Sequence, residues 1–127
     1  YFASLIAGSF GALLVDPLSF TVGASGAIFG LFGAATVIAL ASGNRDIGNR
    51  LGAIVGINLV LTFAVPVLSI GGHVGGLLGG VALAGAFVPQ IRAKRPEWES
   101  IAVAMLLVAF FAAGALWAGS QWSDPLF

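Results

Sequence analysis

The sequence predicts an all-α protein, a polytopic helical bundle in a membrane. Of its 127 residues, 59% are hydrophobic and 8% are charged, and the mean hydropathy is +1.07. Soluble domains carry far more charge than this. The apolar residues fall into five segments separated by charged or turn-forming stretches, which are the numbered ranges 1–15, 24–41, 51–69, 71–89 and 100–119.

The lengths of the five segments fit helices in a bilayer. Each of the last four has about 18 to 20 residues, which suffices to cross a hydrocarbon core of about 30 Å. The first segment is short, and the chain begins with Tyr1 rather than Met, so we expect a fragment of a longer protein. The five prolines avoid the segment centres, with Pro66 expected in the last turn of its helix and Pro89 at the end of the next.

Basic residues predict the orientation of the segments. All five Lys and Arg residues lie in the two connections "SGNRDIGNR" and "PQIRAKRPEW", which alternation places on one side of the membrane. The positive-inside rule assigns that side to the cytosol. Trp98, Trp117 and Trp122 lie near the two ends of the last segment, where interfacial anchoring is expected.

Composition also limits the chemistry. The chain has no Cys, so it has neither a disulfide framework nor a thiolate site, and one His without an intramembrane carboxylate offers too few metal ligands. We therefore expect no metal and no cofactor. A formal net charge of zero gives no indication of a nucleic-acid partner, and the expected surroundings are the lipid bilayer.

Ser25 and His73 are the two polar residues of interest. On the predicted topology they lie at similar depth, near the outer ends of two parallel helices. Ser25 alone is explained more readily by packing, because small residues are common where membrane helices meet. An ionisable residue inside a membrane segment indicates function by default, although a structural histidine at a helix end is an alternative.

Glycine spacing suggests how these two residues could meet. The stripe Gly76, Gly80 and Ala84 continues from His73, and Gly26, Gly30 and Gly33 form a comparable stripe beside Ser25. Smooth stripes of this kind let helix backbones approach closely. The hydroxyl and imidazole could then come within hydrogen-bonding reach, as nucleophilic catalysis requires.

Phe29 lies one helical turn from Ser25 on the same face, where its ring could pack on the imidazole and orient it. Taken alone, Phe29 is more often a lipid-facing or core residue. The stretch Gly23-Ala24-Ser25-Gly26-Ala27 lacks the second glycine of the soluble nucleophile elbow. On helix 51–69, Asn58 and Thr62 share a face, and we expect an interhelical hydrogen bond from them.

"GASGAIFGLFGA" resembles the G-x-S-G motif of the fourth core helix of rhomboid intramembrane serine proteases, and "GGHVGGLLGG" resembles their sixth-helix motif. "YFASLIAGSF" is similar to the end of their third core helix. The resemblance implies that segments 1–15, 24–41, 51–69 and 71–89 are the third to sixth core helices. Segment 100–119 then corresponds to an extra C-terminal helix.

The resemblance also implies roles. Ser25 matches the nucleophile, His73 the general base, and Phe29 the aromatic residue packed on the histidine. Gly23 and Gly26 match the motif glycines, and the backbone N–H of Ser25 matches an oxyanion donor. The family's side-chain oxyanion donors lie on the second core helix, which has no counterpart here. Gly76 and Gly80 match the glycines that let the sixth helix close on the fourth. From its spacing, Gly30 is expected to serve helix packing as well.

The implied reaction is hydrolysis of a peptide bond in or near the transmembrane segment of a protein substrate. The expected location is a bacterial inner membrane, with the site toward the non-cytosolic side. Two alternatives remain, a catalytically inactive relative that binds transmembrane helices and a piece of a proton-relaying transporter or channel. The sequence does not specify an oligomeric state or a substrate.

Overall fold

A computed structural model describes residues 1–18 and 24–122. All the regular secondary structure in these ranges is helical, which confirms the predicted fold class. The five helices are α1 (Phe2–Val15), α2 (Ser25–Ala41), α3 (Arg45–Ala64), α4 (Ile70–Arg92) and α5 (Glu97–Ser120).

Among the described residues, α3, α4 and α5 are long and apolar enough to cross a membrane, while α1 and α2 are shorter apolar helices. Large apolar side chains such as Ile57, Leu78 and Leu106 are exposed on the outside of the bundle. A hydrocarbon solvent removes the penalty that water would impose on such surfaces. The chain is an integral membrane protein.

The limits of α3 differ from the predicted segment 51–69. The helix begins at Arg45, where the side chain of Asn44 accepts a hydrogen bond from the Ile47 N–H at 3.3 Å. It ends at Ala64, so the expectation that Pro66 lies in its last turn was wrong. The residue before a proline is driven out of the helical region, and Val65 is extended accordingly, with φ −111° and ψ 106°.

Helix α4 also differs from its predicted segment, 71–89, because it continues through Pro89 to Arg92. A proline this close to the end of a helix removes one backbone hydrogen bond without breaking the remaining turn. At its start, the side chain of Ser69 caps the helix by accepting the Gly72 N–H at 3.0 Å. The Arg92 guanidinium donates to the Ala41 carbonyl oxygen, which joins the C-terminal ends of α4 and α2.

Helix α4 lies between α1 and α2, and glycines line both contacts. On the α2 side, a Cβ added to Gly76 would collide with the Gly26 carbonyl, and one added to Gly80 would collide with the Gly30 carbonyl. These are the close backbone contacts that the glycine stripes predict. The sequence did not indicate the second contact, in which Gly11 of α1 meets the backbone of α4 at Gly71.

Candidate active site

Ser25 is the first residue of α2, and His73 lies in the first turn of α4. The two helices run in the same direction, and the Ser25 Oγ is 2.9 Å from the His73 Nε2. The imidazole is buried with 5% of its surface exposed, whereas Ser25 is exposed. The structure thus brings together the hydroxyl and the ring nitrogen that the sequence predicted at similar depth.

Phe29 packs on the imidazole of His73. The ring centroids are 4.4 Å apart and the planes differ by 16°, which is a stacked arrangement. Phe29 lies one turn along α2 from Ser25, so a single helix supplies both a contact to the edge of the imidazole and a contact to its face. Together the two contacts limit rotation of the ring.

Thr62 holds the opposite edge of the imidazole. Its Oγ1 lies 2.7 Å from the His73 Nδ1 and also donates to the Asn58 carbonyl oxygen at 2.8 Å. The expected interhelical hydrogen bond on this face of α3 is therefore made by Thr62. Asn58 does not share it, because its side-chain amide donates to the Ile54 carbonyl of the same helix.

The Ser25–His73 pair opens onto a cleft of about 520 Å³ between α1 and the N-terminal ends of α2 and α4. Its walls include Ser9, Asp16 and Ser69, so the cleft is partly polar. The N-terminal end of α2 also borders the cleft, with backbone N–H groups.

The helical hydrogen bonds of α2 begin with the Ile28 N–H, which donates to the Ala24 carbonyl oxygen. The N–H groups of Ser25, Gly26 and Ala27 precede these bonds and lie at the positive end of the helix dipole.

The glycines of the sequence prediction have separate places around this pair. Gly26 follows Ser25 and touches the backbone of α4, Gly76 lies one turn below His73, and Gly30 and Gly80 meet one further turn down. Gly23 lies outside the described residues. Thr62 also contacts the imidazole, but the sequence did not predict it as a residue of the site. The signal in the sequence that could have identified it was its i, i+4 spacing from Asn58.

Comparison with known proteins identifies a family for the chain. The Rhomboid domain family matches residues 1–90, which include both Ser25 and His73. The chain belongs to the rhomboid family. The similarity noted from the two sequence motifs is confirmed by this match.

A curated relative shows the same kinship. The "Rhomboid protease GluP" of Bacillus subtilis (strain 168) is 39% identical to the chain over 123 residues. The alignment covers 94% of this chain and 23% of the relative, so the chain spans about a quarter of that protein's length. No solved structure gives a significant match.

Proposed function

We propose that this rhomboid chain is part of an intramembrane serine endopeptidase that hydrolyses peptide bonds in or near transmembrane segments of membrane proteins. The observation that carries the proposal is the 2.9 Å contact between the Ser25 Oγ and the His73 Nε2. The relative named as a rhomboid protease supports it. The proposed substrates are transmembrane proteins, and no cofactor takes part.

In the proposed reaction, the Ser25 Oγ attacks the scissile carbonyl carbon while the His73 Nε2 takes the hydroxyl proton. The tetrahedral intermediate collapses, the C–N bond breaks, and the leaving amine receives that proton from His73. Water then attacks the acyl ester as His73 accepts one of its protons. Return of this proton to the Ser25 Oγ restores the enzyme and releases the carboxylic acid.

The N-terminus of α2 suits the charge that forms in this reaction. The intermediate carries a negative oxygen next to Ser25, and the Ser25 N–H is the proposed backbone donor to it. The positive end of the helix dipole favours the same charge. Ser25 is exposed and lines the cleft, through which water and an unwound substrate segment reach its hydroxyl.

We further propose that the site faces away from the cytosol in a bacterial inner membrane. The parallel arrangement of α2 and α4 puts Ser25 and His73 at one end of the bundle and Arg92 at the other. Lys94 and Arg95 follow Arg92, so the basic residues lie opposite the cleft. The positive-inside rule assigns their end to the cytosol.

We also propose which helices of the family the helices of this chain correspond to. We assign α1 to α4 to the third to sixth core helices and α5 to an extra C-terminal helix. The family match ends at residue 90, near the end of α4, and α5 lies beyond it.

The length of α2 bears on the depth of Ser25. With 17 residues, α2 measures about 26 Å and is a little short for a full crossing. Its short length fits a serine set below the outer membrane surface.

The test uses the full-length protein in liposomes with a transmembrane reporter substrate. Ser25→Ala and His73→Ala are each expected to abolish cleavage while the thermal unfolding temperature stays near that of the wild type. Ser120→Ala is the matched control, because its exposed hydroxyl donates to the Trp117 carbonyl of its own helix and accepts from the side-chain amide of the adjacent Gln121, at the far end of α5. Full activity in Ser25→Ala would end the protease proposal.

A further inference from the structure

Thr62 is turned inward on a helix whose neighbouring side chains face outward. It is 1% exposed, whereas Leu61 and Phe63 on either side are 49% and 63% exposed. A buried hydroxyl needs hydrogen-bonding partners, and this one has two, the Asn58 carbonyl oxygen and the His73 Nδ1. The Thr62 hydroxyl is therefore buried with its hydrogen-bonding capacity satisfied, and one of its two partners is the His73 ring.

The hydrogen atoms at this contact can be assigned by counting donors. The Thr62 hydroxyl carries one proton, and the Asn58 carbonyl can only accept. When that proton goes to Asn58, the Thr62 Oγ1 is an acceptor toward His73, so the Nδ1 must carry a hydrogen. In the opposite tautomer the Nδ1 carries no hydrogen, so the single Thr62 hydroxyl proton would have to serve two acceptors, the Asn58 carbonyl oxygen and the Nδ1. One of these two contacts, both no longer than 2.8 Å, would then bring two lone pairs together with no hydrogen between them.

The same assignment fixes the other ring nitrogen. A neutral imidazole with a hydrogen on Nδ1 has a lone pair on Nε2, and that lone pair faces the Ser25 Oγ at 2.9 Å. This is the form that can accept the serine proton. In serine hydrolases with a triad, a carboxylate selects the equivalent tautomer.

We infer that Thr62 is the positioning residue of the site and selects the tautomer in which His73 acts as a base. A chain from the Asn58 carbonyl through the Thr62 hydroxyl and His73 to Ser25 takes the place of a carboxylate-led triad. Because the third member is neutral, it orients the imidazole without adding a negative charge. The inference rests on the proposed proteolytic function.

The variants that test it separate the hydroxyl from the methyl group. Thr62→Val keeps the branched shape and removes the hydroxyl, and we expect kcat to fall about tenfold with little change in KM, the effect of one buried neutral hydrogen bond. Thr62→Ser keeps the hydroxyl and should restore kcat to near the wild-type value. Thr36→Val is the matched control, because the Thr36 hydroxyl also donates to the carbonyl four residues earlier, at 2.8 Å to Phe32.

The second measurement reads the tautomer directly. Nitrogen-15 NMR of the full-length protein in liposomes, with the His73 signals assigned by their loss in His73→Ala, distinguishes a protonated ring nitrogen from an unprotonated one. We expect a hydrogen on Nδ1 and none on Nε2 in the wild type and in Thr62→Ser, and a mixture in Thr62→Val. A change of His73 from one tautomer to a mixture does not follow from a packing role of Thr62 alone.

The outcomes decide between the two proposals. If the wild type cleaves the reporter and Thr62→Val cleaves it equally fast, or if Thr62→Ser is as impaired as Thr62→Val, the positioning role is refuted and the protease proposal stands. A hydrogen on Nε2 in the wild type also refutes the positioning role. If the wild type does not cleave while the spectra show the expected tautomer, the protease proposal fails and the hydrogen-bond assignment stands.

Discussion

Gly26→Ala is a small change that should separate Ser25 from His73. A Cβ on Gly26 would lie 2.5 Å from the Gly72 carbonyl oxygen, 0.9 Å short of the 3.4 Å at which ordinary contact begins. The Gly72 oxygen is a backbone atom and the position of a Cβ is fixed by the backbone, so no rotamer change relieves the clash and α2 and α4 must part by about that much. Gly26 and Gly72 are the immediate neighbours of Ser25 and His73, and the 2.9 Å contact should lengthen to roughly 3.8 Å, beyond hydrogen-bonding range.

A displacement of about 1 Å at a reacting pair can lower the rate about a hundredfold. We expect Gly26→Ala to lose about that factor in reporter cleavage and in labelling of Ser25 by a fluorophosphonate, a probe that needs no transmembrane substrate. Gly85→Ala is the control, because within the described residues a Cβ there would meet no atom within 4 Å. Wild-type labelling in Gly26→Ala would show that the helix contact does not set the Ser25–His73 distance.

Two further predictions concern the ring stacked on His73 and the N-terminal cap of the helix that carries His73. Phe29→Leu keeps apolar bulk but removes the stacked ring, so kcat should fall about three- to tenfold, in line with about 0.5–1.5 kcal/mol for an aromatic pair. Phe29→Tyr, assayed in parallel, keeps a ring and should retain kcat. Equal rates in the wild type and both variants would contradict an orienting role for Phe29. Ser69→Ala removes the N-terminal cap of α4 and should lower the free energy of unfolding by about 1 kcal/mol in detergent micelles. Ser69→Asp can still accept the Gly72 N–H and should stay near the wild type, whereas equal losses in both variants would argue against capping.

The pairing of α2 with α4 was predictable because the relevant signals are local. The contacts of Gly76 and Gly80 follow from spacing within one helix, and the reach of Phe29 to His73 follows from its place one turn after Ser25. Such spacings fix which residues share a face of a helix. The number and order of the helices likewise follow from apolar runs and their breaks.

The role of α3 was not predictable to the same degree. Apolar residues occur on every face of this helix, so their periodicity does not indicate which side faces the protein. The polar pair Asn58 and Thr62 indicates a side but not the residue that it contacts. Only the structure shows that Thr62 faces His73 while Asn58 bonds within its own helix. The start of α3 was also missed, because charged residues at a membrane surface can be helical without being apolar, as Arg45 to Arg50 are.

The glycine contacts on both sides of α4 affect how precisely the site is held. Next to Ser25 and His73 the helices touch through main-chain atoms, as where Gly26 meets the Gly72 carbonyl. Main-chain atoms have no rotamers, so the spacing of the two helices does not vary when side chains change conformation. Alignment of the hydroxyl with the imidazole therefore depends little on the apolar side chains exposed to lipid, and substitutions on those surfaces can accumulate without moving the Ser25 Oγ away from the His73 Nε2.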